Sequence, residues 1–284
     1  MAQTTIEWTS GRRADGSAVP GFTFNPWEGC EKISPACANC YAAERDRRFH
    51  GGNHWGPNSS RLVHGDSYWR QPLKWNRDAA AAGERRRVFC ASLADVFEDR
   101  PELIEPRRRL FKLIQATPNL DWLLLTKRPE NIYSLTYKAI DPADDPDCDF
   151  NIAGEPNGLE IVSFGELYPN IWLGTTVENQ EQADKRIPEL LKIPARVRFL
   201  SCEPLLSAVD LGFALARIHW VIAGGESGPN ARPMQIKWAR SLRDQCQAAG
   251  VAFHFKQWGG TNKKAAGRIL DGRTWDEFPR TEAR

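Results

Sequence analysis

The chain has 284 residues, 41% of them hydrophobic and 26% charged, with a net charge of only +2. That length fits one large α/β domain or two ordinary ones. The longest apolar runs, Trp122–Leu125 and Trp220–Ala223, are too short to span a bilayer, and so small a net charge gives no bulk pull toward nucleic acid.

The first residues lack a basic stretch followed by an apolar one, so no signal peptide is expected and the chain is read as cytoplasmic. In that compartment seven cysteines argue for metal ligation or buried thiols rather than disulfides. Cys90, Cys148, Cys202 and Cys246 are dispersed singly. Eleven tryptophans are many for this length and are read as core and cleft lining.

In chain order, Gly11 to Gly21 is turn-rich and reads as a surface loop or hairpin. Phe22 to Trp27 reads as a short strand. It delivers the chain into Cys30-Glu-Lys-Ile-Ser-Pro-Ala-Cys37-Ala-Asn-Cys40, where three thiols share one loop. Tyr41 to Phe49 has good helix formers, and a helix beginning near Cys40 places that sulfur at a helix N-terminus. His50 to Trp75 reads as irregular. Strands are then expected at 87–91, 121–126, 170–176, 197–201, 219–223 and 251–255. Helices are expected at 101–116, 130–138, 180–191 and 237–249. The acidic, turn-rich segment 141–160 reads as a solvated loop insertion, and 259–284 as a polar tail.

Continuous apolar strands alternating with helices imply parallel strands buried on both faces. The expected fold is α/β, a partial or full (β/α) barrel in a single domain over 1–284, with its core at 23–258. A doubly wound open sheet is the competing topology.

Sites in such folds form at the C-terminal ends of the strands, and here each strand runs straight into polar residues. These are Asp95, Lys127 with Arg128, Glu178 with Asn179, Glu203, the run Gly224-Gly225-Glu226-Ser227-Gly228, and Lys256 with Gln257. Lys127 and Arg128 suit a carboxylate or phosphate clamp, or pairing with Glu130. Glu203 at a buried strand end needs a cation, and Lys256 is the obvious one. The glycine-rich run lets backbone approach a ligand closely.

Three thiolates are one short of a closed tetrahedral site. A structural zinc site completed by His50, His54 or His64 is one reading, and an iron–sulfur cluster with one open iron is the other. The same chain resembles a radical-SAM-like three-cysteine family, first catalogued as uncharacterised phage proteins and widespread in bacteria. The resemblance rests on Ile6-Glu7-Trp8-Thr9, Asn25-Pro26-Trp27, the cysteine segment with Tyr41-Ala42, and Pro72-Leu73-Lys74-Trp75. It extends through Leu125-Thr126-Lys127-Arg128-Pro129, Trp172-Leu173-Gly174, Val177-Glu178-Asn179-Gln180, Glu203-Pro204-Leu205-Leu206, the glycine-rich run and Phe255-Lys256-Gln257-Trp258-Gly259.

That resemblance implies a radical-SAM-type barrel and a [4Fe–4S] cluster on Cys30, Cys37 and Cys40. S-adenosylmethionine would be the ligand of the open iron, cleaved reductively to a 5′-deoxyadenosyl radical. Tyr41, Glu178, Asn179, Gly224, Gly225, Glu226 and Ser227 are then the expected cofactor contacts, and Lys127, Arg128, Glu203 and Lys256 the expected catalytic groups. An external flavodoxin- or ferredoxin-like donor would supply the electron, and the phage kinship points to a nucleic-acid-related substrate. The departures are a six-residue gap between Cys30 and Cys37, and Asn39 before Cys40 with the aromatic Tyr41 after it. A non-catalytic alternative is a zinc-stabilised nucleic-acid-binding module, helped by the runs Arg85–Arg87 and Arg107–Arg109; the plainer reading of those runs is a solvated helix face.

Overall fold

The computed structural model describes residues 4, 6–13, 15–139 and 164–280. Its centre is one parallel sheet of seven strands. They are β1 (Phe22–Thr23), β2 (Arg86–Cys90), β3 (Leu120–Thr126), β4 (Ile171–Thr176), β5 (Val197–Cys202), β6 (Trp220–Gly224) and β7 (Ala252–Gln257). They stand side by side in sequence order, every neighbouring pair parallel. The longer helices are α1 (Tyr41–His50), α2 (Gln71–Ala81), α3 (Ile104–Gln115), α4 (Ile132–Ala139), α5 (Gln180–Lys192) and α6 (Ile236–Ala249). None of them is long and apolar enough to cross a membrane.

Side chains alternate across the strands, so each strand supplies two cores. Val88, Trp122, Leu124, Leu173, Leu200, Val221 and Phe253 belong to the larger cluster under the helices. Phe89, Leu123, Trp172, Phe199, Trp220 and Ile222 form a second cluster on the other face, closed by Trp8. Trp8 packs against Phe89 of β2 at 4.6 Å and Trp220 of β6 at 6.2 Å. Those strands are four spacings apart, roughly 19 Å in a flat sheet, so the sheet curls around Trp8. The result is a half-barrel whose N-terminal end is plugged with aromatic rings. The expected α/β barrel-like fold in one domain is found; the sheet is open between β1 and β7.

Two local expectations change, and one is made specific. The stretch 50–75, read as irregular, ends in a short helix Asp66–Trp69 and runs into α2. Pro72 lies in the first turn of α2, where its missing N–H costs nothing, and Trp75 buries against β1 with its ring stacked on Phe22 at 4.4 Å. The segment 11–21, read as a loop or hairpin, is a hairpin pairing Gly11–Arg12 with Ala18–Val19. The tail is less free than its polarity suggests. Phe255 N–H donates to the Trp275 carbonyl and Glu277 N–H to the Phe253 carbonyl, so 275–277 covers the open edge of β7. The acidic segment 141–160 and Cys148 lie outside the described residues.

Candidate functional site

At the C-terminal end of the sheet the inward positions turn polar, and the cysteine loop lies across that end. The chain enters it through Gly29, whose φ of 117° and whose position against the His54 carbonyl, 2.3 Å from where a Cβ would stand, admit only glycine. A single 3-10 turn, Pro35–Cys37, carries the second thiol, and Cys40 is the N-cap of α1, as the helix pattern predicts.

The rim holds this loop at four points. Arg128 donates to the Glu31 carbonyl at 3.4 Å and the Ala36 N–H donates to Glu178 at 3.2 Å. Arg232 donates to the Pro35 carbonyl at 2.9 Å, and Asn39 donates to Glu226 at 3.0 Å and to the Asn230 carbonyl at 2.8 Å. Asn39, which precedes the third cysteine, is thus the tie between the loop and the turn after β6.

Arg128 is placed by Asp95. One Asp95 oxygen accepts from Thr126 Oγ1 at 2.7 Å; the other accepts from the Lys127 N–H and from Arg128 Nη1, both at 3.0 Å. The same Nη1 lies 3.7 Å from the Cys30 sulfur. Arg128 therefore joins Asp95 and Cys30, not Glu130. Burial pushes the Cys30 thiol up to about 12, helped by Asp95 and opposed by Arg128. Burial also raises Cys37, but the nearby Lys127 ammonium and hydrogen bonds at Ile33 and Ser34 outweigh it and hold that thiol below its ordinary range. Lys127 is half-buried, and its ammonium has no carboxylate partner among the described residues.

The other expected residues divide into two groups. Glu203 receives Lys256 at 2.8 Å and Gln257 at 3.0 Å, the pairing its strand-end position demands, and Gln257 also donates to Ser227 at 2.6 Å. Glu226, 5% exposed, takes Arg232, the Arg232 backbone N–H and Asn39. Burial raises its carboxyl, and these donors more than reverse that, keeping it below the ordinary carboxylate range. Tyr41 donates its hydroxyl to the Ser92 carbonyl at 2.6 Å while its ring stays 58% exposed at the loop's end. These residues face the mouth.

Glu178, Asn179 and Gly225 instead serve the frame. Glu178 is fully buried, with one oxygen on Arg186 at 2.8 Å and the other on Ala36. Asn179 caps α5 by accepting from Gln182 N–H at 3.0 Å. A Cβ on Gly225 would stand 2.0 Å from the Trp258 carbonyl, so the glycine permits close contact with the chain's own backbone. Gly224 has ordinary room, its nearest neighbour being the Glu203 side chain at 3.4 Å.

The histidines of the zinc reading face carboxylates. His50 and His64 lie 3.8 and 3.5 Å from Glu28, and His54 lies 2.8 Å from Asp46. Nor do the arginine runs make an unpaired basic patch: Arg108 pairs with Glu105 and the exposed Arg109 with Asp66. Arg85 and Arg86 pair with Asp121 and Glu84, Arg87 stacks over Phe278, and Arg107 is fully buried on the Val96 and Glu98 carbonyls. Sequence reasoning missed Arg232, Asn39 and Arg186. The nearest signal was spacing: Arg186 lies two turns along a helix from Glu178, and Arg232 just beyond the glycine-rich run.

Among the described residues no three His, Cys, Asp or Glu side chains stand together as a metal site. The donor chemistry nonetheless fits a soft, anionic metal group: Cys30 is accompanied by Arg128, Cys37 by Lys127 and Cys40 by the start of α1.

A family of proteins of unknown function, DUF5131, matches residues 3–279, nearly the whole chain. The chain belongs to DUF5131. No curated protein and no solved structure matches it. The matched range takes in the cysteine loop, the rim and the aromatic plug together.

Proposed function

We propose that this DUF5131 chain is a cytoplasmic iron–sulfur enzyme of the radical-SAM kind. Cys30, Cys37 and Cys40 would hold a [4Fe–4S] cluster at the mouth of the half-barrel, and S-adenosylmethionine would take its open position. The observation that carries the reading is the three-thiol loop strapped across a polar strand-end rim, with Lys127 and Arg128 beside two of its sulfurs. When bound, the cluster and S-adenosylmethionine supply one-electron chemistry that starts hydrogen abstraction from a substrate.

The chain's own residues do the rest. Arg128, fixed by Asp95, directs a charge-assisted N–H at the Cys30 sulfur. Lys127 offers a cation to a carboxylate at the mouth. Glu226, ionised and held by Arg232, accepts from an ammonium or from ribose hydroxyls. The exposed Tyr41 ring gives a purine a stacking face, with its hydroxyl anchored on Ser92. Lys256, paired with Glu203, lies on the mouth's far side for substrate binding or proton transfer. The aromatic plug closes the other end against water. An external flavodoxin- or ferredoxin-like protein would supply the electron, and a nucleotide or nucleic acid is the substrate class proposed.

Anaerobically reconstituted protein mixed with dithionite and S-adenosylmethionine tests this. The expected product is 5′-deoxyadenosine, absent from a Cys30→Ala/Cys37→Ala/Cys40→Ala variant. Equal traces from both proteins would overturn the reading.

A further inference from the structure

The first thiol has a support that the rim does not supply. After β2 the chain makes a buried turn at 95–98, closed by the Glu98 N–H on the Asp95 carbonyl at 3.2 Å. Its first carboxylate, Asp95, fixes Arg128 beside Cys30. Its second, Glu98, takes Arg61 as a two-pronged pair, Nε on Oε2 at 2.9 Å and Nη2 on Oε1 at 2.6 Å. Both side chains are buried. A pair so deep adds little stability over apolar residues of similar size, so folding alone gives no reason for it.

Arg61 directs its remaining N–H groups at one stretch of backbone. Nη1 donates to the His54 and Ser59 carbonyls at 3.0 and 2.7 Å, and Nη2 to the Gly56 carbonyl at 3.1 Å. With the two bonds to Glu98, every donor of the guanidinium is taken. The chain from 54 to 59 is thus wrapped around Arg61, and this stretch is the one that meets Cys30. The Gly56 N–H donates to the Cys30 carbonyl at 2.9 Å, and Trp55 and Cys30 form a parallel bridge. Gly29 is pressed between the His54 carbonyl and Arg61 itself, whose Cδ lies 2.7 Å from where a Cβ would stand. Cys37 and Cys40 are held differently, through Ala36, Pro35 and Asn39.

We infer that Arg61 and Glu98 are positioning residues for the first thiol. They act through backbone. Glu98 orients the guanidinium, the guanidinium shapes 54–59, and that stretch fixes the Cys30 main chain so that its sulfur stays beside Arg128. Lysine is no substitute for Arg61, because one ammonium cannot bind a carboxylate at two points and three diverging carbonyls as well. Arg107 of α3, on the Val96 and Glu98 carbonyls, holds the 95–98 turn from behind. The first ligand position is therefore preset by the fold, in metal-free protein as in loaded protein. The purpose of that presetting rests on the proposed cluster; the backbone geometry does not.

Thiol labelling of the reduced, metal-free full chain is the test, with each cysteine followed by peptide mass spectrometry. Arg61→Lys and Glu98→Gln should each speed iodoacetamide labelling of Cys30 by roughly tenfold or more, since local opening governs access. The buried Cys90, Cys202 and Cys246 report unfolding and should stay unlabelled. Trp220→Ala, a destabilising change at the floor, should leave the Cys30 rate within about twofold of wild type. In the wild type, the Gly56 N–H should exchange with deuterium roughly tenfold or more slower than an unstructured glycine amide. Reconstituted protein adds a second readout: both variants should alter the EPR spectrum of the reduced cluster, and Trp220→Ala should not. Cys30 labelling unchanged in both variants, labelling that rises only in step with Cys90, or a freely exchanging Gly56 amide would each overturn the inference. A wild type that forms no cluster would instead overturn the proposed function, leaving labelling and exchange to decide the positioning role.

Discussion

The two ends of the half-barrel are built from the same strands and obey opposite rules. At the N-terminal end the inward positions are Phe89, Trp172, Phe199 and Trp220, sealed by Trp8, and all of these rings are buried. At the C-terminal end the strands lead into Lys127, Glu178, Glu203, Glu226 and Lys256, nearly all joined in ion pairs or hydrogen bonds. β7 shows the change within one strand: Ala252 packs on the aromatic cluster, His254 follows it, and Lys256 reaches Glu203. The floor supplies cohesion, which lets the mouth carry buried charge and free thiols that add little stability of their own.

Breaking the floor should have the largest effect. Trp220→Ala removes a fully buried ring and its hydrogen bond to the Glu277 carbonyl, and should lower the unfolding free energy by about 4 kcal/mol in urea titration. Iron bound per folded chain should not change. Next comes the foundation of the mouth. Glu178→Ala strands the buried Arg186 guanidinium and frees the Ala36 N–H, at a cost of about 3 kcal/mol. Unlike the tryptophan variant, it should also loosen the cysteine loop and reduce iron retention. If the two variants lose iron equally, the division between floor and mouth is wrong.

His254, between the two regions, gives the pH dependence. Burial first, then the Arg268, Lys256 and Arg87 cations, lower it from 6.5 to about 3; Asp276, 4.0 Å away, is the acid it faces. The unfolded chain takes up this proton near 6.5 and the folded one does not. Stability is therefore full above about pH 6.5 and declines as the pH falls toward 3, by at most about 1.4 kcal/mol per pH unit. His254→Gln should flatten that limb of a pH–stability curve. The smallest stability effect belongs to the rim. Lys256→Met removes a partly exposed pair and should cost about 1 kcal/mol or less, yet it should sharply reduce turnover once a substrate is assigned.

Six of the seven strands were legible because each is an apolar run of the right length bounded by turn residues. Even the two-residue β1 was found, from Phe22 and its neighbours. α2 was missed because its buried residues Trp75 and Ala79 emerge from a stretch of Gly, His and Pro that reads as loop. The tail was missed because its attachment to β7 is through backbone, which leaves no periodic side-chain signal. In the mouth, the Glu203–Lys256 pair followed from the cost of an unpaired carboxylate at a strand end. The partner of Arg128 did not follow. Whether a guanidinium turns to Glu130 next to it or to Asp95 and Cys30 across the mouth depends on the sheet's curl, which local sequence does not encode. Arg107 makes the same point: inside a run of three arginines, helix phase alone decides that it is the buried one.

The most direct test of the central claim is iron and acid-labile sulfide in anaerobically reconstituted wild type and its Cys30→Ala/Cys37→Ala/Cys40→Ala variant. Equal iron and sulfide in the wild type, with the loss of both in the variant, is the predicted result. Zinc without sulfide, or iron kept by the variant, would contradict it.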